Sequence, residues 1–370
     1  MTRTAPVRLG MIGCGLIAQA HGLAALQIHD RLRFVACMSR RRESAEVWAK
    51  TMNIDPAHAY DDLGAMLRRE QLDGAVIATW PADHRSHIES CLEHGLRYVL
   101  CEKALVTRVA DALAIWERAQ SLGAVVVEGF MYRHHPAVVR LRERVMSGAL
   151  GAIDNIHATF HMLDESTASN EGRSWRQRAD AGGGVPCDFL CYPVDAVGWL
   201  AGGVPERAMA CGRQNPRTGT IDRLYGLIEY SSGCVASVAS SRRAVFDQCL
   251  EVTGEHAQVR LPVAWTIAGD TELIETRSPR FIVRRESRVH IDALSPGERL
   301  IDLPVFRLQL ENFASVIRAE AEPVMSLRDS VINACVIDGL VESMHVRGSV
   351  PICIPPEILG AAHSRPRRPE

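Results

Sequence analysis

The sequence contains very little lysine, no long apolar run and no closely paired cysteines. Only Lys50 and Lys103 are lysines among 42 basic residues, and such an arginine bias usually reflects a GC-rich genome rather than a function. No apolar run approaches the roughly 18 residues that a membrane helix needs. The N-terminal MTRTAPVRLG has neither the apolar core nor the cleavage site of a signal peptide. The formal net charge of -2 argues against nucleic acid or an anionic membrane as a partner.

The cysteines predict a reduced protein without a structural metal. Their number, 11, is odd, and no CxxC pair occurs, so we expect neither a disulfide framework nor a zinc site. Reduced, buried cysteines suit a cytoplasmic protein. His84 and His87 have no third ligand converging on them, so they are not expected to bind a metal ion.

The length of 370 residues predicts two domains, and the first has the rhythm of a parallel sheet. Short apolar strands alternate with helical patterns up to about residue 130, as in βαβ units. We therefore predict an α/β fold with an N-terminal Rossmann dinucleotide-binding domain over residues 1–130. Its strands are predicted at Val7–Ile12, Arg33–Met38, Gly74–Thr79, Tyr98–Cys101 and Val125–Glu128. Its helices are predicted from the first glycine loop to about Ile28 and at Arg42–Met52, Leu63–Glu70, Ser86–His94 and Val109–Leu122.

The pattern changes after about residue 150 to longer strands that are separated by short glycine-containing turns. This predicts a second α/β domain over residues 131–354, with a large, mostly antiparallel open sheet. The Pro/Arg-rich residues 355–370 are predicted to be a disordered tail. Strands are predicted at Ile153–Met162, Arg207–Arg213, Arg223–Tyr230, Cys234–Ser241, Asp247–Thr253, Gln258–Leu261 and Phe281–His290, and helices at Cys187–Leu200, Phe306–Ala319 and Ser326–Val346.

A glycine-rich loop follows the first strand, with Gly13, Gly15 and Ala18 in a GxGxxA pattern. Such a pattern is weak alone, but here a strand precedes it, a helix follows, and a second strand comes about 20 residues later. Gly13 allows the tight turn, Gly15 allows a pyrophosphate to approach the backbone, and Ala18 allows close packing of helix and strand. A surface turn of no consequence is the alternative. The pyrophosphate would lie on the helix N-terminus.

The end of the second strand indicates which dinucleotide binds. Ser39 and Arg40 stand where an NAD-preferring site places a carboxylate, so a 2′-phosphate could take hydroxyl and guanidinium donors there. We therefore predict NADP(H) in preference to NAD(H). Arg41 and Arg42 are better explained as a solvated helix start.

Glu102 and Lys103 follow the fourth predicted strand, at the sheet edge that faces the cofactor crevice. A lysine is usually a solvated surface charge, but one of only two lysines at the end of a buried strand indicates a chemical role.

Several motifs in order resemble the Gfo/Idh/MocA oxidoreductase family, named for glucose–fructose oxidoreductase, inositol dehydrogenase and a rhizopine-catabolism protein. The resemblance covers nearly the whole chain and implies a Rossmann domain followed by an α/β domain with an open sheet. The motifs are Gly13–Ala18, Ala78-Thr79 with Pro81 and His84, Glu102-Lys103, Arg133–Pro136, Gly148–Gly151, Trp175 before Gly182–Gly184, Asp188 with Tyr192, and Leu310–Phe313.

The resemblance also implies roles for individual residues. The pyrophosphate would be lined by Gly13, Gly15, Leu16 and Ile17, and the adenosine ribose and its phosphate would be held by Ser39 and Arg40. The rest of the cofactor would be bound by Thr79, Pro81, His84, Glu102, Lys103, Arg133 and Trp175. The catalytic set would be Lys103, Asp188 and Tyr192, with tyrosine where the inositol-dehydrogenase branch has histidine.

Ala104 departs from the family's Glu-Lys-Pro motif. Alanine can follow a trans bond at an entropic cost of about 0.4–1 kcal/mol, whereas a cis bond before alanine is much rarer than before proline. Both geometries remain open from the sequence.

Hydride transfer to or from a nicotinamide needs a group that moves a proton. We expect desolvation and an oxidised ring nearby to lower the pKa of Lys103, which suits a general base, with Tyr192 sharing that role. Asp188 could orient the lysine or instead cap a helix, and Tyr192 could instead be a core aromatic. Asp195, one turn later, is either supporting or structural.

The sequence therefore predicts an NADP(H)-dependent dehydrogenase or ketoreductase that acts on a hydroxyl or keto group of a sugar, cyclitol or sugar derivative. The alternatives are a glycosidase with a captive, recycled nicotinamide and a non-catalytic dinucleotide sensor. The resemblance implies a homodimer or homotetramer. The loops 164–173 and 212–221 are expected to shape the substrate pocket.

Overall fold

A computed structural model describes residues 5–163, 174–280, 283–292 and 304–360 of the chain. Short apolar strands form a six-stranded parallel sheet in the order β3-β2-β1-β4-β5-β6. All four residues of β4 are buried, as expected when helices cover both faces of a parallel sheet. The strands are β1 Val7–Ile12, β2 Leu32–Met38, β3 Ala59–Tyr60, β4 Gly74–Ile77, β5 Tyr98–Glu102 and β6 Val125–Gly129.

Helices connect these strands and begin at predictable signals. Asp62 caps α3 by accepting a hydrogen bond from the Ala65 amide. Pro81 starts α4 five residues before the predicted start, because its fixed φ suits the first helical position. The helices are α1 Leu16–Leu26, α2 Arg42–Thr51, α3 Leu63–Arg69, α4 Pro81–Glu93 and α5 Val109–Leu122.

The second sheet has nine strands in the order β14-β13-β12-β11-β7-β10-β9-β8-β15. Its pairs are antiparallel except β7 with β10, which is parallel. The α/β class and the mostly antiparallel second sheet are thus confirmed. The strands are β7 Ile153–His161, β8 Pro205–Gln214, β9 Ile221–Tyr230, β10 Val235–Ser241, β11 Leu250–Gly254, β12 Gln258–Leu261, β13 Thr271–Arg280, β14 Val283–Ile291 and β15 Val350–Pro351.

Helices pack on one side of this sheet and toward the first domain. A π-helical turn at Pro186–Leu190 runs directly into α7, so the predicted helix at Cys187–Leu200 is wound differently in its first turn. The helices are α6 Pro136–Met146, α7 Cys191–Leu200, α8 Val305–Ile317, α9 Leu327–Val346 and α10 Pro356–Gly360. None of the helices in the described part of the chain has the length and apolar character to cross a membrane.

Four elements were not predicted: β3, β13, β15 and α6. β3 has only two residues, β13 carries charged side chains instead of an apolar alternation, and β15 contains a proline. α6 follows a motif that was interpreted only for its chemistry. Part of the predicted tail is wrong as well, because α10 is helical and its Ile358 is buried. Residues 361–370 lie outside the described residues.

Candidate active site

The glycine loop leaves the N-terminus of α1 open to an anion. Gly13 has φ +93°, and a Cβ there would lie 2.7 Å from the Ala78 carbonyl oxygen, so no side chain fits. A Cβ at Gly15 would meet nothing within 4 Å, which shows open space over the loop. Leu16 is exposed and Ile17 is half-buried. The first amides of α1 therefore fit a pyrophosphate.

Three consecutive residues line the region beyond β2. Ser39 is half-buried, and the guanidinium of Arg40 lies 4.4 Å from the centre of the Trp80 ring. Arg41 lines an open cleft of about 510 Å³ together with Cys14. Arg41 is exposed at the N-cap of α2, and Arg42 pairs along the helix surface with Glu46, as expected for a solvated helix start.

His84 is fully buried and joins two loops instead of presenting its ring to the crevice. Its Nδ1 lies 2.9 Å from the Ala104 oxygen and its Nε2 lies 3.1 Å from the Thr79 oxygen. Burial lowers the pKa of His84, so the ring is neutral. His84 therefore supports the backbone at Thr79 and Ala104, and its place beside the cofactor stays a prediction. Thr79 follows β4, and the buried Pro81 opens α4.

Two buried acids hold the segment that carries Lys103. His21 Nε2 donates to Glu102 Oε1 at 2.7 Å, and the Leu105 amide donates to Glu128 Oε1 at 2.8 Å. The peptide bond between Lys103 and Ala104 is cis. Glu128 is 3% exposed, and burial raises its pKa to about 8. Lys103 is thus anchored on both sides of its backbone.

The side chain of Lys103 reaches Asp188 of the second domain. Its Nζ donates to the Asp188 carbonyl oxygen at 2.6 Å and to Oδ1 at 3.2 Å. Arg176 donates to Oδ2 at 2.9 Å, and the buried Arg242 donates to the same oxygen. Asp188 caps no helix, because its carboxylate is occupied by three cations.

The charges in this cluster determine its protonation. Burial alone would lower the pKa of Lys103, but the negative charge of the neighbouring Asp188 carboxylate outweighs it and raises that pKa. Burial would raise the pKa of Asp188, but Lys103, Arg242 and Arg176 lower it. The expectation of a lowered Lys103 pKa is therefore wrong for this arrangement, in which a buried counter-ion stabilises the ammonium.

The ring of Tyr192 lies beside the side chain of Lys103. The lysine Nζ is 5.0 Å from the ring centre, and the tyrosine hydroxyl donates to the Met131 sulfur at 3.5 Å. The side chain is also part of an aromatic cluster with Phe130, Tyr132, Phe160 and Trp265. Burial is the main cause that raises the pKa of Tyr192, so its hydroxyl stays protonated. The structure thus brings Lys103, Asp188 and Tyr192 together.

Arg133, another predicted cofactor residue, lies in a buried ion-pair cluster. Its Nε and Nη2 donate to Asp195 at 2.9 and 2.6 Å, and its Nη1 donates to the Val324 oxygen. Asn333 and Tyr132 also donate to Asp195. Arg133 is 2% exposed, so the structure places it inside this buried cluster, and its assignment to the cofactor stays a prediction. Asp195 is a structural residue of this buried cluster.

Trp175 and Arg176 are fixed in a tight turn by the glycines that follow. A Cβ at Gly183 would lie 2.6 Å from the Trp175 oxygen and 2.7 Å from the Arg176 oxygen, so only glycine allows this approach. Trp175 is half-buried, with the Arg176 guanidinium 4.9 Å from its ring centre. The predicted pocket loop 164–173, directly before this turn, lies outside the described residues.

The sequence interpretation missed three charged residues of this site. Arg176 directly follows Trp175, Arg242 follows the last residue of β10, and Glu128 is the second-last residue of β6. A charged residue at the end of a buried strand was a usable signal for Glu128 and Arg242. Their convergence on Lys103 and Asp188 depends on the packing of two domains.

A dinucleotide-type Rossmann sheet with a lysine, a buried aspartate and a tyrosine at its crevice defines a nicotinamide-dependent oxidoreductase. Sequence profiles agree: the oxidoreductase family profile with an NAD-binding Rossmann fold matches residues 7–130, and a C-terminal domain profile matches residues 138–260. The chain belongs to the Gfo/Idh/MocA oxidoreductase family.

Curated relatives are similar over nearly the whole chain. The D-xylose 1-dehydrogenase (NADP(+)) 2 of Haloferax volcanii is 26% identical over 341 residues, which cover 92% of this chain and 98% of that protein. The dTDP-3,4-didehydro-2,6-dideoxy-alpha-D-glucose 3-reductase of Actinomadura kijaniata is 25% identical over 342 residues, with 90% and 95% coverage.

Solved structures share the fold. Levoglucosan dehydrogenase in complex with NADH and L-sorbose has a TM-score of 0.82 at 20% identity, with 95% of this chain and 100% of that chain covered. A 3-ketoreductase from Actinomadura kijaniata in complex with NADP and TDP-benzene has a TM-score of 0.78 at 22% identity, with 91% and 98% covered.

Proposed function

We propose that this chain is an NADP(H)-dependent dehydrogenase or ketoreductase that acts on a hydroxyl or keto group of a sugar, cyclitol or sugar derivative. The observation that carries the proposal is the contact of Lys103 with Asp188 beside Tyr192, at the carboxyl end of β5. Ligands of doubly wound sheets bind at such an edge. The names of the relatives, which act on xylose and on a dTDP-linked keto sugar, support a sugar-type substrate.

Lys103 moves the proton in this proposal. Its raised pKa keeps it an ammonium, which suits donation to the oxygen of a carbonyl as hydride arrives at the carbon. Oxidation would require the positively charged oxidised ring to lower that pKa first. Tyr192 positions the lysine through its ring face. The bound nicotinamide would supply the hydride chemistry.

Cofactor preference is proposed from the cations beyond β2. Ser39 and Arg40 offer donors for a 2′-phosphate, and no carboxylate ends the strand. The xylose dehydrogenase relative is named for NADP(+), whereas levoglucosan dehydrogenase was solved with NADH. Titration with both reduced cofactors tests the preference, and tighter binding of NADH would contradict it.

The open face of the second sheet supports a homodimer or homotetramer. Met209, Leu227, Tyr225 and Val235 are exposed on adjacent strands. Met209 lies directly opposite Leu227, and opposed residues share one face of a sheet. Such an apolar patch is typical of an interface. Sedimentation would show the assembly, and a monomer would contradict the proposal.

We also propose a cytoplasmic location, which is supported by the unpaired state of all described cysteines.

A substrate screen with two matched lysine variants tests the enzyme proposal. The screen offers sugars, inositols and keto sugars with NADP+ or NADPH and follows the nicotinamide absorbance. K103A should lower kcat at least about 10²-fold while NADPH still binds. K50A, which removes the other lysine of the chain from an exposed position on α2, should leave kcat unchanged. Retained turnover in K103A would overturn the role of Lys103.

A further inference from the structure

Arg40 and Trp80 meet across the end of β1. Arg40 follows β2, Trp80 is the N-cap of α4 after β4, and β1 lies between these two strands in the sheet. Their contact therefore spans the strand end from which the glycine loop leaves. Arg40 makes no hydrogen bond or ion pair with any residue in the described part of the chain, so its donors are available to a ligand.

A second guanidinium reaches the same indole ring from the other domain. The guanidinium carbon of Arg178 lies 5.6 Å from the centre of the Trp80 ring, and that of Arg40 lies 4.4 Å from it. Both distances are within the range of a cation–π contact. Arg178 belongs to the turn between Trp175 and Gly184, so the two cations come from opposite sides of the domain boundary.

The turn that carries Arg178 packs closely on the first domain. Gly182 has φ +83°, and a Cβ there would lie 2.8 Å from Cγ2 of Thr107 and 3.0 Å from Cβ of Pro81, the first residue of α4. Any side chain at this position would push the turn away from α4. The Gly183 amide donates to the Arg178 oxygen at 2.8 Å. The backbone of Arg178 is therefore held close to the start of α4.

Arg178 has an acidic partner that a ligand can replace. Its Nη2 donates to Asp180 at 2.6 Å, but the two side chains are 46% and 71% exposed. Such an exposed ion pair contributes little to stability, because water competes for both charges. A phosphate monoester carries a charge of about −1.5 to −2 and three acceptor oxygens, so it accepts more strongly from a guanidinium than one exposed carboxylate does. The pair with Asp180 therefore leaves Arg178 able to bind a phosphate.

From this convergence we infer that Arg178 is a specificity-determining residue for NADP(H), which binds the 2′-phosphate from the second domain together with Ser39 and Arg40. This inference rests on the cofactor preference proposed above and adds a donor from outside the Rossmann domain. The end of β2 is where the adenosine ribose of a dinucleotide binds, and Trp80 aligns both guanidiniums beside it. The second domain thus takes part in the choice of cofactor.

The test titrates the full-length protein with NADPH, NADH, 2′,5′-ADP and 5′-AMP. R178Q should weaken the binding of NADPH and 2′,5′-ADP at least about 10-fold and leave NADH and 5′-AMP within about 2-fold of wild type, because only the first two ligands carry the 2′-phosphate. R288Q, which removes an exposed, ion-paired arginine of β14 in the same domain, is the matched control and should change none of the four affinities.

Two results would overturn the inference: an unchanged NADPH affinity in R178Q, or an equal loss for NADPH and NADH, which would assign Arg178 to the packing of the domains. If R178Q does not fold, as judged by circular dichroism, R178K decides. It keeps the charge without the paired donors and should weaken only the 2′-phosphate ligands, at least about 3-fold, and unchanged affinities would overturn the inference.

Binding and turnover separate this inference from the proposed function. A protein that binds NADPH through Arg178 but turns over no sugar, cyclitol or keto sugar contradicts the proposed activity and leaves the inference supported. A wild-type protein that binds 5′-AMP as tightly as 2′,5′-ADP contradicts both the NADP(H) preference and the role of Arg178.

Discussion

The buried carboxyl group of Glu128 makes a pH-dependent prediction for the stability of the fold. Burial raises its pKa from 4.5 to about 8, and one of its oxygens, Oε2, has no hydrogen-bond partner among the described residues. Between these two pH values the folded protein keeps a proton that the unfolded chain releases. The free energy of unfolding therefore falls as pH rises from about 4.5 and stops falling above about 8.

The size of this effect follows from the shift. A change from 4.5 to about 8 is about 3.5 units, and at about 1.36 kcal/mol per unit it amounts to about 5 kcal/mol at pH 9. E128Q lacks the titration but keeps an oxygen that accepts from the Leu105 amide. The stability of E128Q relative to wild type should therefore rise between pH 5 and pH 9 by about 4 kcal/mol, because a small part of the effect is already present at pH 5.

Urea denaturation of wild type and E128Q at pH 5, 7 and 9 measures the difference. E117Q, which changes an exposed glutamate on α5, is the matched control and should show no pH-dependent difference from wild type. A stability difference between E128Q and wild type that changes by less than about 0.5 kcal/mol across this range would refute the reasoning, because a carboxyl with a raised pKa must produce the slope.

Three further variants test the site and its support. D188N should lower the pKa of Lys103 by removing its counter-ion, so the alkaline fall of the reductive rate moves to lower pH; an unchanged pH–rate profile would contradict this. S39D should repel a 2′-phosphate and shift the ratio of NADPH to NADH affinity at least about 10-fold toward NADH, as measured by cofactor titration. R133M should leave Asp195 buried without its ion partner and lower the free energy of unfolding by about 3–5 kcal/mol in denaturant titration, and a loss below about 1 kcal/mol would argue against a structural role.

The local patterns of the sequence were sufficient for the first domain and for the cofactor loop. Most strands and helices of the first domain were predicted to within a few residues. Buried strands are short apolar runs, and helices begin at caps such as Asp62. Gly13 was predicted to allow a tight turn, and its positive φ and the lack of room for a Cβ agree with that prediction. Lys103 stood out because the chain uses arginine almost everywhere else.

Protonation and residue roles were decided by tertiary packing. The sequence places Lys103 and Asp188 85 positions apart, and only the docking of the two domains makes them an ion pair that raises the lysine pKa. Arg133 looked like a cofactor residue in its motif, but the fold buries it against Asp195. A pKa depends on every charge within several ångströms, whichever part of the chain supplies it. The sequence by itself therefore determined the fold class and singled out Lys103, whereas the charge state of that lysine was decided by the three-dimensional structure, because its counter-ion Asp188 is distant in the chain.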